Sequence, residues 1–265
     1  MNSRSKHTLL ARIEPWSSLW ETEAEGAAAP QREQHGKAAA APPKATPPPA
    51  PSSQPDVPER GIALSRQGSR LACDVLTYPF DQCAPRRQRL DLSGRGFVHG
   101  RAELEQKGLI RVISIGRALY LVPMPDLYAK FGQDPPPQKR DLSLEHSFAV
   151  QLAVYLVRHQ PMVARVDTEV PVGSSGATVD VVAHTRDGAR IAYEITLSLG
   201  NVVSNAAKCR DKGFAEIVFV CRNTQIKQGA WAQLREAGLP PEIYGRCRVV
   251  LFSKLTARKK ALHGE

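Results

Sequence analysis

The sequence predicts an α/β chain made of a disordered tail, a small basic helical module closed by a hairpin, and a larger mixed-sheet domain. Three observations carry this. Ten of the 21 prolines fall in the first 60 residues. Helical periodicity starts near Gly61 and then yields to two alternating apolar runs joined by Gly116 and Arg117. After a Pro-rich connector, the order helix, strand, strand, strand, helix, strand runs to residue 256. The expected boundaries are 1–60 for the tail and linker, 61–131 for the basic module, 132–141 for a linker, 142–256 for the sheet domain and 257–265 for a basic C-terminal tail.

"KAAAAPPKATPPPAPSSQP" (Lys37 to Pro55) has too few apolar side chains to offset the entropy of ordering, and it reads as an extended, semi-rigid linker. Ahead of it, Leu9, Ile13, Trp16 and Trp20 recur at helical spacing, a stripe suited to a protein partner. Pro15 interrupts that helix, so a disordered tail is the competing expectation. The net charge of +10 lies wholly beyond residue 60: the tail carries 7 Lys/Arg against 7 Asp/Glu, and residues 61–140 carry 13 against 7. A basic module points to a polyanion, and DNA is the expected partner. No apolar run approaches the roughly 20 residues of a membrane span, so no membrane is expected. The five cysteines, Cys73, Cys83, Cys209, Cys221 and Cys247, form no CxxC pair. That argues against a zinc ribbon or a disulfide scaffold, and with no signal-peptide core a reducing cytoplasm is expected.

The basic module begins with "IALSRQGSRLACDVLTYPF", whose Ile62, Leu64, Leu71, Val75 and Leu76 share a helical face that Pro79 closes. A short helix at "APRRQRLDL" follows, then a third at "FVHGRAELEQ" stopped by Gly108, then the hairpin "IRVISI" and "ALYLVPM". Three helices and a hairpin is the order of a winged helix-turn-helix. In such modules the helix after the turn enters the major groove, and the wing follows the backbone. On this reading Arg95, His99 and Arg101 face DNA, Arg117 meets a phosphate, and Arg86 and Arg87 project from the second helix beside Arg89. Protein docking or formation of a homodimer is the alternative for the same surface.

In the sheet domain, "LSLEHSFAVQLAVYLVRHQ" sets Phe148, Ala149, Leu152, Ala153, Leu156 and Val157 on one helical stripe. "VDVVAHTRDGARIAYEITLS" (Val179 to Ser198) then reads as a hairpin. A three-residue loop with Gly188 in the left-handed position sets Thr185 against Ala189 and Asp180 against Glu194. The same register gathers Val179, Val181, Ala183, Ile191, Tyr193, Ile195 and Leu197 on the other face. Carboxylates facing each other across strands, with Cβ atoms about 4.5–5.5 Å apart, repel unless a cation lies between them. Either the pair holds a divalent ion, for which magnesium is suited, or it is the wet side of a hairpin. Beyond it, Asn201, Asn205 and Lys208 share a helical face.

This order, with acids on the second and third strands, resembles the core of the PD-(D/E)XK nuclease superfamily, a restriction-endonuclease-like α-β-β-β-α-β mixed-sheet domain. The resemblance implies a Mg2+- or Mn2+-dependent deoxyribonuclease. Asp180 in "TVD" matches the metal-binding Asp and Glu194 in "YEIT" matches the acid of the (D/E)XK element; Glu145 in "LEH" matches an additional Glu of the first helix. The joined modules, with "LEH" and "EITLSLGNVVSNAAKC", are similar to modules of bacterial mobile-element and conjugation systems. The motif lysine is Thr196 here, and some members relocate that lysine; Lys208, flanked by Asn201 and Asn205, is the candidate replacement. Glu169 is expected to support the site from behind, and His146 is expected to be an ordinary packed or surface histidine. The alternative is a catalytically inactive DNA-binding or assembly module that keeps the nuclease fold as scaffold.

Overall fold

The computed structural model describes residues 62–136, 142–173, 176–210 and 212–257. The expected tail with its Trp16 and Trp20 stripe, the second half of the 132–141 linker, and residues 258–265 lie outside that range. The chain divides into two compact units, Met1–Ala63 and Leu64–Glu265, and the elements below all belong to the second.

Helix α1 (Arg66–Thr77) starts where Ser65 accepts a hydrogen bond from the Gly68 amide, so Leu64 precedes the helix. Its Leu71, Ala72, Val75 and Leu76 are buried. Helix α2 (Cys83–Arg89) and helix α3 (Gly94–Gln106) follow, the latter capped by Ser93. Strands β1 (Ile110–Ile115) and β2 (Ala118–Pro123) then pair antiparallel around Gly116, whose φ of +63° suits a residue without a β-carbon. Helix α4 (Pro125–Lys130) ends the segment.

The larger part opens with α5 (Leu144–Arg158) and continues through β3 (Val163–Pro171), β4 (Thr178–Thr185), β5 (Arg190–Thr196) and α6 (Val202–Lys208). It closes with β6 (Glu216–Cys221), α7 (Thr224–Glu236), α8 (Pro241–Tyr244), β7 (Cys247–Leu251) and α9 (Phe252–Ala257). The five strands lie in chain order, antiparallel from β3 to β5 and parallel from β5 to β7. The β4–β5 register is the one the three-residue turn predicts: Val181 faces Tyr193, the Thr185 amide bonds the Ala189 carbonyl, and Gly188 has φ +86°.

Two apolar layers flank this sheet. On one side α5 packs against Val181, Ala183, Ile191, Tyr193 and Ile195; on the other, residues of α6 and α7 pack against Val182, Ala192, Ile217 and Phe219. The wet-side alternative therefore fails for Glu194, because α6 and α7 cover that face of the β4–β5 pair, whereas Asp180 and His184 stay half-buried. Val179 also departs from expectation, since it joins the α6 layer and not Val181. Beside it on β3, Glu169 adopts a left-handed φ of +50°; Val166 before it joins the α5 layer, and Val170 and Val172 after it join the α6 layer.

The hairpin was expected to stand apart from the sheet domain across a linker. Instead Ile113, Ile115, Tyr120 and Val122 enter the same apolar layer as α5. The Tyr120 ring lies 5.4 Å from that of Phe148, and Phe80 lies 5.0 Å from Tyr155. A hairpin two strands wide cannot bury both faces in a three-helix module, and the spare apolar face is covered by α5.

Candidate functional site

The β4–β5 ladder ends at Val181 and Tyr193. One step further, the Asp180 carboxylate takes over the role of the strand: its Oδ2 accepts from the Ile195 amide at 2.7 Å. Asp180 thus lies in the gap of the ladder, while Glu194 projects toward α6. There the Lys208 ammonium stands 3.0 Å from Glu194 and also donates to the Thr178 carbonyl at 2.6 Å. The helical spacing that put Lys208 over the strand ends places it on the predicted acid.

Glu194 is only 1 % exposed. Burial, and then the charge of Asp180, push its carboxyl from an ordinary 4.5 up to about 8, with Lys208 pulling the other way. Between those two values the folded chain keeps a proton that the unfolded chain has released. Stability therefore falls as pH rises from about 4.5 to about 8. Urea denaturation across that window is expected to show the decline, and Glu194→Gln, which never ionises, should flatten it; an unchanged slope in the variant would refute the assignment.

Two residues of the first turn of α5 divide between two partners. Ser143 caps that turn by accepting from the His146 amide. His146 Nε2 then reaches 3.4 Å from Asp180 Oδ1, whereas Glu145 pairs with Arg222 Nη2 at 2.9 Å. Glu145 therefore contacts Arg222, not the acid pair, and the histidine stands beside Asp180. Arg222 was not anticipated, although an Arg closing the apolar run "VFVC" at the carboxyl end of a parallel strand is where open α/β sheets place functional loops. Its carbonyl also lies 3.4 Å from where a β-carbon of Gly116 would stand, so the tip of the first hairpin touches the rim of the site.

The supporting residues are less central. Thr196 is buried, and its hydroxyl donates to the Glu194 carbonyl at 3.2 Å. Asn201 is exposed just before α6 and Asn205 is half-buried one turn on. The pairs on either side, Thr168 with Val181 and Val170 with Val179, set Glu169 level with Asp180 across β3 and β4. Among the described residues no three His, Cys, Asp or Glu side chains form a ready ligand cluster.

In the basic module, two of the arginines expected to face DNA turn elsewhere. Arg86 is fully buried and pairs with Asp74 at 2.6 Å, so it cannot meet a phosphate. Its guanidinium bridges the corner between α1 and α2, bonding the carbonyls of Asp74 and Asp81 at 2.8 and 3.2 Å and that of Tyr78. Arg101 is half-buried and lies 3.6 Å from Glu105, two residues beyond the exposed His99 and six beyond the exposed Arg95. Arg87, Arg95, His99 and Arg117 remain exposed, and Arg87 lines an open groove between α2 and α3 with Gln88 and Asp91.

No protein family, curated protein or solved structure matches this chain.

Proposed function

We propose that this chain binds DNA through a winged helix built from α1 to β2 and hydrolyses phosphodiester bonds with a PD-(D/E)XK-like sheet domain, within a mobile-element or other DNA-processing system. The observation that carries this reading is the Lys208 ammonium 3.0 Å from Glu194. It returns from α6 the cation that Thr196 takes away from the strand.

The donor set fits a divalent ion. Two carboxylates come from adjacent strands, and the buried Glu194 Oε1 has the Lys208 ammonium 3.0 Å away without accepting a hydrogen bond from it; such a set suits a hard cation that keeps waters of its own. Asp180 and Glu194 would hold it. When bound, such an ion supplies a nucleophile at neutral pH and polarises the phosphodiester. The chain's own side chains do the rest. The Ile195 amide orients Asp180, and Lys208 offers charge where negative charge develops on the phosphoryl oxygens. Arg117 at the hairpin tip and Arg222 at the rim suit flanking phosphates, while Arg87, Arg95 and His99 suit a duplex held on α2 and α3.

A second reading has its own support. Lys208 already stands 3.0 Å from Glu194 and is tied to Thr178, so the acid pair has a cation beside it without any metal. A catalytically inactive module that binds DNA on a nuclease scaffold follows from that. Incubation of the full chain with linear, supercoiled and branched DNA and Mg2+ or Mn2+ separates the two: cleavage supports the enzyme, and binding with intact DNA supports the scaffold. Affinity should fall steeply with salt, and Arg95→Ala and Arg117→Ala should each reduce the slope of log K against log salt by about one. Absence of duplex binding at low salt would sink both readings.

A further inference from the structure

The first turn of α5 presents an acid and an imidazole side by side, and the fold turns the imidazole toward Asp180. His146 Nε2 and Asp180 Oδ1 are 3.4 Å apart, longer than the 2.7–3.2 Å of an N–H···O hydrogen bond. Two neighbouring donors on one octahedral ion, with bonds of about 2.1 Å, lie about 3 Å apart. At 3.4 Å the pair exceeds both spacings, so the two atoms make no well-made hydrogen bond and leave room for an ion that both could reach at more than a right angle. Glu145, which would have supplied an oxygen, is held by Arg222 at 2.9 Å. The helix therefore offers a nitrogen to this centre and withholds its carboxylate.

We propose that His146 Nε2 is a metal ligand together with Asp180, making this a mixed nitrogen and oxygen centre that selects Mn2+ over Mg2+. The proposal rests on the metal-dependent reading above and names the ion that reading would use. Magnesium favours an all-oxygen shell, whereas imidazole raises affinity for first-row transition ions. The Ser143 cap at the His146 amide fixes the turn that carries the ring, so the ligand is positioned before any ion arrives.

The test uses the full chain and Mn2+ alone. Loss of the free-ion electron paramagnetic resonance signal gives Mn2+ affinity, competition with Mg2+ gives selectivity, and electron spin-echo modulation reports nitrogen bound to the ion. The wild-type chain should show nitrogen-14 coupling that His146→Gln abolishes, with Mn2+ affinity falling roughly tenfold or more, Mg2+ affinity falling less, and unchanged circular dichroism. His146→Asn provides a second variant should His146→Gln misfold, and a wild-type chain carrying nitrogen-15 histidine should convert the coupling pattern. Bound Mn2+ without nitrogen coupling overturns this inference and leaves a carboxylate-only centre standing. Coupling that survives in His146→Gln also overturns it and moves the ion elsewhere, His184 beside Asp167 at 2.8 Å being the first place to look. Absence of Mn2+ binding overturns the inference and the metal-dependent reading together.

Discussion

Asp180→Asn is expected to lower metal-dependent DNA cleavage by about two to three orders of magnitude, the equivalent of several kcal/mol of charge stabilisation at about 1.36 kcal/mol per tenfold. Duplex affinity should stay near wild type, because the groups expected to hold DNA lie on other elements. Asn is the informative replacement. Its side-chain carbonyl can still accept from the Ile195 amide, the 2.7 Å bond that closes the end of the ladder, so the fold should persist while the charge disappears. Removing that charge also withdraws the second-largest cause of the raised Glu194 pKa, so Glu194 should ionise at lower pH in the variant. Cleavage assays, filter binding and a pH titration of stability measure these three consequences. Undiminished cleavage in Asp180→Asn would remove Asp180 from the site.

Arg86→Ala is expected to destabilise the fold by about 3–5 kcal/mol, the usual cost of breaking a buried ion pair from one side. Asp74, whose side chain is 4 % exposed, would keep Arg89 Nε at 2.8 Å, which favours the lower end of that range. The carbonyls of Tyr78 and Asp81 would lose a donor as well. Arg87→Ala, one residue away on the exposed side of α2, should change stability by no more than about 0.5 kcal/mol and act on DNA affinity instead. Urea denaturation and salt-dependent binding of both variants test the contrast. A stable Arg86→Ala chain with weakened DNA binding would return Arg86 to the surface role that its sequence neighbours suggested.

These two arginines show what a linear pattern can carry. "PRRQR" announces positive charge, and periodicity puts it on a helix, but adjacent helical residues differ by about 100° in direction. Which of Arg86 and Arg87 turns inward depends on where Asp74 waits on another helix. The hairpin acids are the opposite case. Their register was legible because a three-residue turn with Gly188 and a period of two leave a single arrangement that keeps Val181, Ala183, Ile191 and Tyr193 on one face. Lys208 was legible for a similar reason, since an offset from Asn201 and Asn205 sets a helix face.

What lay beyond the sequence was long-range. The side of α5 that His146 and Glu145 face, the Arg222 that captures the glutamate, and the hairpin tip beside it depend on contacts between segments far apart in the chain. The same holds for the burial of Glu194, because only the packing of α6 and α7 turns a surface that alternation alone would leave wet into an interior. Local chemistry, through turn geometry and periodicity, determined the strands, their pairing and the candidate acids. Tertiary packing decided which charges are desolvated and which partner each one meets, since those depend on distances that no spacing along the chain encodes.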